Sequence, residues 1–78
     1  MTARVFTLDG SKVREQRERH GLNQPEFARR CGITQPSLSP LEAGRRNGSP
    51  RLNRIIAEQL GVALDAIATT AEPEAVNQ

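Results

Sequence analysis

The Lys and Arg side chains are the groups of this sequence whose number and placement indicate a chemical role, the binding of anions. All eleven Lys and Arg lie in residues 1–54, where five acids leave a net charge of +6. Residues 55–78 hold four acids and no base, a net charge of −4. Clustered cationic groups bind polyanions, so this distribution favours a nucleic acid as the partner. Arginines on solvated helix faces are also common, and the charge by itself leaves that alternative open.

Covalent and metal chemistry have few residues to draw on. Cys31 is the single cysteine, which excludes an internal disulfide, and His20 is the single histidine, which leaves no metal-ligand cluster. The sequence shows no nucleophile–base pair, paired carboxylates or phosphate-binding loop, so we expect neither an enzyme nor a cofactor. Cys31 fits a buried structural thiol better than a redox sensor. His20 fits a residue that complements a helix dipole better than a ligand.

The length of 78 residues indicates one small domain. Such a domain buries too little surface for a large pocket, so no small-molecule ligand is expected. No apolar run approaches the roughly 18 residues that a membrane span needs. The first residues also lack the apolar core of a signal peptide. We therefore expect no membrane association and a reduced, cytoplasmic location.

Residues 23–44, NQPEFARRCGITQPSLSPLEAG, have the pattern of a helix-turn-helix. Their apolar side chains recur at spacings that give each of two helices one buried stripe: Phe27, Cys31, Leu38 and Leu41. Ala28 is small where the helices would cross, Gly32 suits a turn with positive φ, and Thr34 is a good N-cap. A unit of this kind places its second helix in the DNA major groove.

Caps and glycines predict the elements around this unit. Residues suited to cap helices are Asp9, Asn23, Thr34 and Ser49. The predicted helices span about 10–20, 24–31, 35–43, 50–60 and 63–68. The last of them would offer Leu64 and Ile67 to the core. Residues 1–8 are expected to be an N-terminal arm, with a short strand or a flap over the core as alternatives, and residues 69–78 a disordered acidic tail.

Three segments resemble the phage Cro and repressor family of helix-turn-helix regulators, also called the xenobiotic-response-element (XRE) type. They are LNQPEFARRCGIT, QPSLSPLEAGRR and, from the end of the fourth helix, LGVALDAI. The resemblance covers residues 9–68. It implies an all-α, compact five-helix lambda-repressor-like DNA-binding domain in which helices two and three form the helix-turn-helix. The partner that it implies is double-stranded DNA.

The resemblance also implies the DNA-contacting residues. Gln24 would hold a backbone phosphate, and Gln35, the first residue of the recognition helix, would read a base edge, for which adenine suits a glutamine. The residues on the groove-facing side or its flanks are Pro36, Ser37, Ser39 and Pro40. The residues that would hold phosphates after the helix are Arg45, Arg46 and Arg51. Arg17 and Glu42 match a family ion pair between helices one and three, although Arg17 could instead be a solvated helix residue.

Pro40 departs from the family, which usually has a polar, base-reading side chain at this place. Within a helix it lacks the N–H that would bond the carbonyl of residue 36, at a cost of about 3 kcal/mol. Two positions of the recognition helix are compatible with this proline. The first is one helix over 35–43, kinked or tightened at its start, and the second is a short helix that Ser39 caps and Pro40 begins. We favour the first, because the second would be too short to stand alone. Prolines donate no hydrogen bonds to bases, so we expect modest direct readout and a large share from phosphates and DNA shape.

These inferences predict a sequence-specific transcriptional regulator, a repressor that binds a near-palindromic operator as a homodimer through helix 35–43. The dimer surface would use Val62, Leu64 and Ile67, with the Val5–Leu8 arm as an optional addition. The same three apolar residues could instead complete the monomer core. The alternatives are an antitoxin, a controller of restriction–modification operons, or an adaptor that bridges proteins without reading bases. The ten-residue acidic tail is short for a toxin-wrapping segment, and the basic charge of residues 1–54 disfavours the adaptor.

Overall fold

Two short strands and four α-helices make up residues 5–71, the part of the chain that the computed structural model describes. In chain order the elements are β1 (Val5–Leu8), α1 (Gly10–Arg19), α2 (Gln24–Arg30), α3 (Gln35–Glu42), α4 (Pro50–Leu60), a 3-10 turn (Leu64–Ala66) and β2 (Ala68–Ala71). None of these helices is long and apolar enough to cross a membrane.

Each α-helix begins at the side-chain cap that the sequence predicts. The cap oxygen accepts a hydrogen bond from the backbone N–H three residues on, in the pairs Asp9–Lys12, Asn23–Glu26, Thr34–Ser37 and Ser49–Leu52. Prolines occupy the first or second position of α2, α3 and α4, where the helix needs no backbone donor. The predicted spans of α1, α2 and α3 are each one residue too long at the C-terminal end, as is common where a last turn tightens.

The four helices enclose one apolar core. Each helix contributes fully buried side chains to it: Val13, Phe27, Leu38, Ile56 and Leu60. At Gly10 the first helix approaches α3 so closely that a Cβ would overlap the carbonyl oxygens of Leu41 and Glu42. Glycine at this position therefore permits the contact that sets α1 against the C-terminal end of α3.

The predicted fifth helix is wrong, and with it the count of five helices, whereas the all-α helix-turn-helix fold is confirmed with four helices. Leu64–Ala66 form a single 3-10 turn, after which the chain extends as β2 and pairs with β1. The strands are antiparallel, with Leu8 opposite Ala68. The described fold is thus a four-helix domain closed by a two-stranded sheet.

Burial explains why an extended segment replaces the helix. Leu8 and Ile67 both lie in the core, and the Ile67 carbonyl accepts a hydrogen bond from the Asp9 N–H at 2.7 Å. That bond joins the end of β1 to the start of β2 and satisfies a carbonyl that would otherwise be buried without a partner. Residues 69–71, which the sequence assigned to the acidic tail, lie in β2. The rest of that tail, residues 72–78, and residues 1–4 of the arm lie outside the described residues.

Candidate nucleic-acid interface

The α2–α3 unit buries one side of α3 and leaves the other accessible. Gly32, at φ +76°, makes the turn between the helices. The apolar side chains that join the two helices are Phe27, Ala28, Leu38 and Leu41. The accessible side chains of α3 are Gln35, Pro36 and Ser37, which are exposed, and Ser39 and Pro40, which are half-buried. None of the five α3 residues that the family resemblance implies as DNA contacts is therefore buried in the core.

The helix α3 runs through Pro40 without a break. It extends over Gln35–Glu42 as one recognition helix, so the alternative in which the helix starts after Ser39 is wrong. Pro40 has no N–H to give to the carbonyl of residue 36. Leu38 before it and Leu41 after it are both buried and hold the helix against the core. Tertiary packing thus stabilises a helix whose own backbone lacks an interior hydrogen bond.

A hydrogen-bonded network connects the core to the first residue of α3. Arg17 Nε donates to Glu42 Oε2 at 2.7 Å, and a second nitrogen of the same guanidinium donates to Oε1 at 3.0 Å. The third nitrogen donates to the carbonyl of Leu22 at 2.8 Å. Gln24 Nε2 donates to Glu42 Oε1 at 3.0 Å, and Gln35 Nε2 donates to Gln24 Oε1 at 3.2 Å. The hydrogen bonds that the Arg17 guanidinium donates to Glu42 raise its pKa.

This network fixes which atoms of the two glutamines remain available. Gln35 is exposed and keeps its Oε1 and one N–H of Nε2. Those two atoms are the acceptor and donor that the N6 and N7 edge of adenine requires. Gln24 is half-buried and uses its oxygen and one N–H inside the protein, which leaves one N–H outside the network. Arg17, at 7% exposed, belongs to the interior and is not a solvated helix residue.

The positive charge around α3 is uneven because many bases are already paired. Surface ion pairs within α1 and within α2 use Arg14, Arg19, Arg29 and Arg30. The guanidiniums that follow α3 have no carboxylate partner among residues 5–71; they are Arg45, Arg46, Arg51 and Arg54. The first three are those that the family resemblance implies as phosphate contacts, and all three are exposed. Free cationic charge is therefore concentrated in the loop after α3 and the start of α4.

Arg14 is a basic residue beside this surface that the sequence analysis did not single out. It lines a groove of about 160 Å³ together with Gln24 and Ser39, at the side of the accessible face of α3. Its ion pair with Glu18 is exposed on both sides and so is readily exchanged for another anion. The signal for this position was its spacing of three residues from Arg17, because residues three apart share a face of a helix.

Cys31 and His20 lie away from this surface. Cys31 is buried, and burial raises the pKa of its thiol to about 11, which keeps it protonated at neutral pH. His20 is the exposed C-cap residue of α1. Within the described range, 5–71, no cluster of His, Cys, Asp and Glu side chains could hold a metal ion.

Comparison with known sequences supports the same type of domain. Residues 10–69 match the family pattern described as a helix-turn-helix domain. An uncharacterised HTH-type transcriptional regulator of Methanothermobacter thermautotrophicus is 43% identical over 49 residues, which are 63% of this chain and 71% of that protein. A propionyl-CoA carboxylase regulator of Cereibacter sphaeroides is 36% identical over 67 residues, which are 86% of this chain. The chain spans only 14% of the length of that regulator.

Solved structures give the same result. The clp gene regulator ClgR of Corynebacterium glutamicum superposes with a TM-score of 0.69 at 29% identity, over 73% of this chain and 62% of that one. The restriction-modification controller protein C.AhdI of Aeromonas hydrophila superposes with a TM-score of 0.69 at 28% identity, over 73% of this chain and 83% of that one. The shared part is the helical domain that carries α2 and α3.

Proposed function

Because this chain belongs to the Cro and repressor (XRE) family of helix-turn-helix DNA-binding transcriptional regulators, we propose that it is a sequence-specific repressor. It binds a near-palindromic operator as a homodimer, with α3 in the major groove of each half-site. The observation that carries the proposal is the network Arg17–Glu42–Gln24–Gln35, which orients an exposed glutamine amide at the start of α3. Orientation before binding matters because a side chain that is already ordered loses less entropy on contact.

Base readout in this proposal depends mainly on Gln35. Its free Oε1 and N–H pair with N6 and N7 of one adenine in each half-site, a contact worth about 1–3 kcal/mol of discrimination. Ser37 and Ser39 supply single hydroxyl contacts, and Pro36 and Pro40 offer only apolar surface, which suits a thymine methyl group. Direct readout is therefore modest, and DNA shape carries much of the remaining specificity.

Phosphate contacts provide most of the affinity. Arg45, Arg46 and Arg51 reach the backbone from the segment after α3, and the remaining N–H of Gln24 donates to a phosphate oxygen. Arg14 is added to this set, because it lines the same groove as Gln24 and Ser39. Each contact that is formed releases counterions, so the affinity for DNA falls steeply as the salt concentration rises.

Fewer apolar residues are available for the homodimer interface than the sequence predicts. Ile67, which the sequence placed in the interface, is completely buried in the core of the monomer and is excluded from it. Val62 and Leu64 are half-buried and remain as apolar contacts. A single domain of this size contacts few base pairs, so pairing about a two-fold axis doubles the footprint and sets half-site centres about 10 bp apart.

A controller of a restriction–modification operon is the biological setting that one observation favours. C.AhdI is such a controller, and this chain covers 83% of it, whereas it covers 14% of the carboxylase regulator. The proposal for the interface does not depend on this setting.

Selection of bound sequences from a random DNA library, at near-physiological salt, tests the proposed function. We expect an enriched near-palindrome with an adenine in each half-site. Gln35→Ala should remove the preference for that adenine, whereas Gln59→Ala, which changes an exposed glutamine on α4, should leave the motif intact. Absence of any enriched motif, with only salt-sensitive binding, would contradict the regulator and favour the adaptor. Light scattering of the complex would refute the homodimer if one chain occupied a full site.

A further inference from the structure

Asn47 joins the loop after α3 to strand β1. Its Oδ1 accepts a hydrogen bond from the backbone N–H of Leu8 at 2.9 Å, and its Nδ2 donates to the carbonyl of Phe6 at 3.1 Å. One side-chain amide thus pairs with the backbone of β1 as a neighbouring strand would, on the edge that does not face β2. The bonds join residues 39 and 41 positions apart in the sequence.

The side-chain amide of Asn53, on α4, contacts the same loop. Asn53, on α4, is 1% exposed, and its Nδ2 donates to the carbonyl of Gly48 at 3.2 Å and lies 3.5 Å from Asn47 Oδ1. Gly48 is itself buried, and a Cβ there would overlap Asn53 Oδ1. The backbone at 47 and 48 is therefore fixed between β1 and α4.

These contacts limit the movement of two exposed arginines. Arg45 and Arg46 directly precede Asn47, and the N–H of Arg45 donates to the carbonyl of Pro40 at 2.9 Å. The segment that bears both guanidiniums is therefore held at its start by α3 and at its end by the Asn47 amide. Neither guanidinium has a carboxylate partner within residues 5–71.

We propose that Asn47 is a positioning residue for DNA binding, through which the β1–β2 sheet holds Arg45 and Arg46 in place for phosphate contacts. The sheet lies outside the helix-turn-helix unit, yet it completes the surface that this unit presents. This inference rests on the phosphate contacts proposed above for the two arginines. Without the amide, ordering the loop costs about as much free energy as the phosphate contacts return, so these contacts form only in part and both affinity and counterion release fall.

A double-mutant cycle on a random-sequence DNA duplex tests the proposal, because non-specific binding depends on phosphate contacts and needs no operator. The variants are Asn47→Ala, Arg45→Ala with Arg46→Ala, and all three together; Thr7→Ala, an exposed change in β1 outside the contacts described, is the control. We expect Asn47→Ala to weaken binding about tenfold in the otherwise unchanged protein. In the protein that lacks both arginines it should have little further effect.

The salt dependence separates positioning from general loss of structure. Removing both arginines should reduce the slope of log K against log salt by about 1.8, because each phosphate contact contributes about 0.9. Asn47→Ala should reduce the slope in the same direction, which a mere loss of stability would not do. Equal effects of Asn47→Ala with and without the arginines, or an unchanged slope, would overturn the positioning role alone. An unchanged slope after loss of both arginines would overturn the phosphate contacts themselves, and the positioning role with them.

A measurement without any change to Asn47 covers the case in which Asn47→Ala does not fold. In the unmodified protein, DNA should slow hydrogen exchange at the Leu8 N–H. The phosphate contacts that order the loop also favour the hydrogen bond from this N–H to Asn47 Oδ1. The variant without Arg45 and Arg46, saturated with DNA at low salt, should show no such slowing. Exchange at Leu8 that does not respond to DNA would overturn the proposal.

Discussion

Replacing both members of the buried ion pair should keep the fold but lose the base readout. The side chains of Arg17 and Glu42 are 9% and 3% exposed, so neither charge can recover its hydration if the other is removed. Glu42→Met alone would leave the guanidinium with the Leu22 carbonyl as its acceptor. Loss of one partner of a buried pair costs about 3–5 kcal/mol, whereas apolar replacement of both is often neutral or stabilising.

The size of the domain makes this difference easy to measure. A domain of this length has a free energy of unfolding of about 4–12 kcal/mol, so the loss of about 3–5 kcal/mol in Glu42→Met removes between roughly a quarter and all of it. The melting temperature should fall by more than about 12 °C, at roughly 4–8 °C per kcal/mol. Arg17→Met with Glu42→Met should restore it. The chain has no Trp or Tyr, so unfolding is best followed by far-UV circular dichroism in urea.

DNA binding by the double variant then isolates the function of the network. The variant lacks the Glu42 oxygen that holds Gln24, so Gln24 no longer orients Gln35. We expect discrimination at the contacted adenine to fall from about 1–3 kcal/mol to near zero. Glu15→Gln, which breaks an exposed pair on α1, is the control and should cost less than about 0.5 kcal/mol. A cost below about 1 kcal/mol for Glu42→Met, or unchanged discrimination in the folded double variant, would refute the reasoning.

Three further changes test other parts of the structure. Pro40→Ala should raise the free energy of unfolding by about 1–3 kcal/mol in urea melts, because it supplies the missing N–H. Pro36→Ala, in the first turn of the same helix, should change the free energy of unfolding little. Equal effects of the two substitutions would contradict this explanation of α3. Gly10→Ala should lower the free energy of unfolding by about 1–3 kcal/mol, since its Cβ overlaps backbone of α3, and Lys12→Ala, on the exposed side of α1, should be neutral. Burial raises the pKa of Cys31 to about 11 from an ordinary value of 9.0, so the contribution of this thiol to the free energy of unfolding should be constant below about pH 9 and fall between about pH 9 and 11, where the thiol ionises first in the unfolded chain. Alkylation of this thiol at pH 8 should proceed only as fast as the protein opens, and rapid labelling of the folded protein would show that the thiol is accessible.

The parts of the fold that the sequence predicts well are those with a local chemical cause. Each cap lies next to the helix it begins, and Gly32 lies in the turn it permits, so these elements were predicted to within a residue at most boundaries. The site residues on α3 are those that the family resemblance implies, and burial of Leu38 and Leu41 explains why they are left accessible. The DNA contacts themselves stay a prediction.

The parts that the sequence did not predict depend on contacts between distant residues. Ala68–Ala71, ATTA, has no strong strand pattern, and only its pairing with β1 makes it extended. Asn47 reads as a loop residue in the sequence, since nothing nearby indicates that its amide bonds to residues 6 and 8. The position of α3 at Pro40 was likewise ambiguous, because local helix propensity opposes the proline and only core packing on both sides of it supports the helix.

The pairing of β1 with β2 also bears on the order in which the protein folds. The helices form from contacts within short stretches of chain, whereas the sheet brings together residues 5 and 71 and must close a long loop before it gains any hydrogen bond. We therefore expect the sheet to form last, after the helices have packed. During synthesis, strand β1 leaves the ribosome before β2 and lacks its partner strand until residues 68–71 have followed it. A nascent chain can thus present a folded recognition helix before the loop beside it is fully anchored.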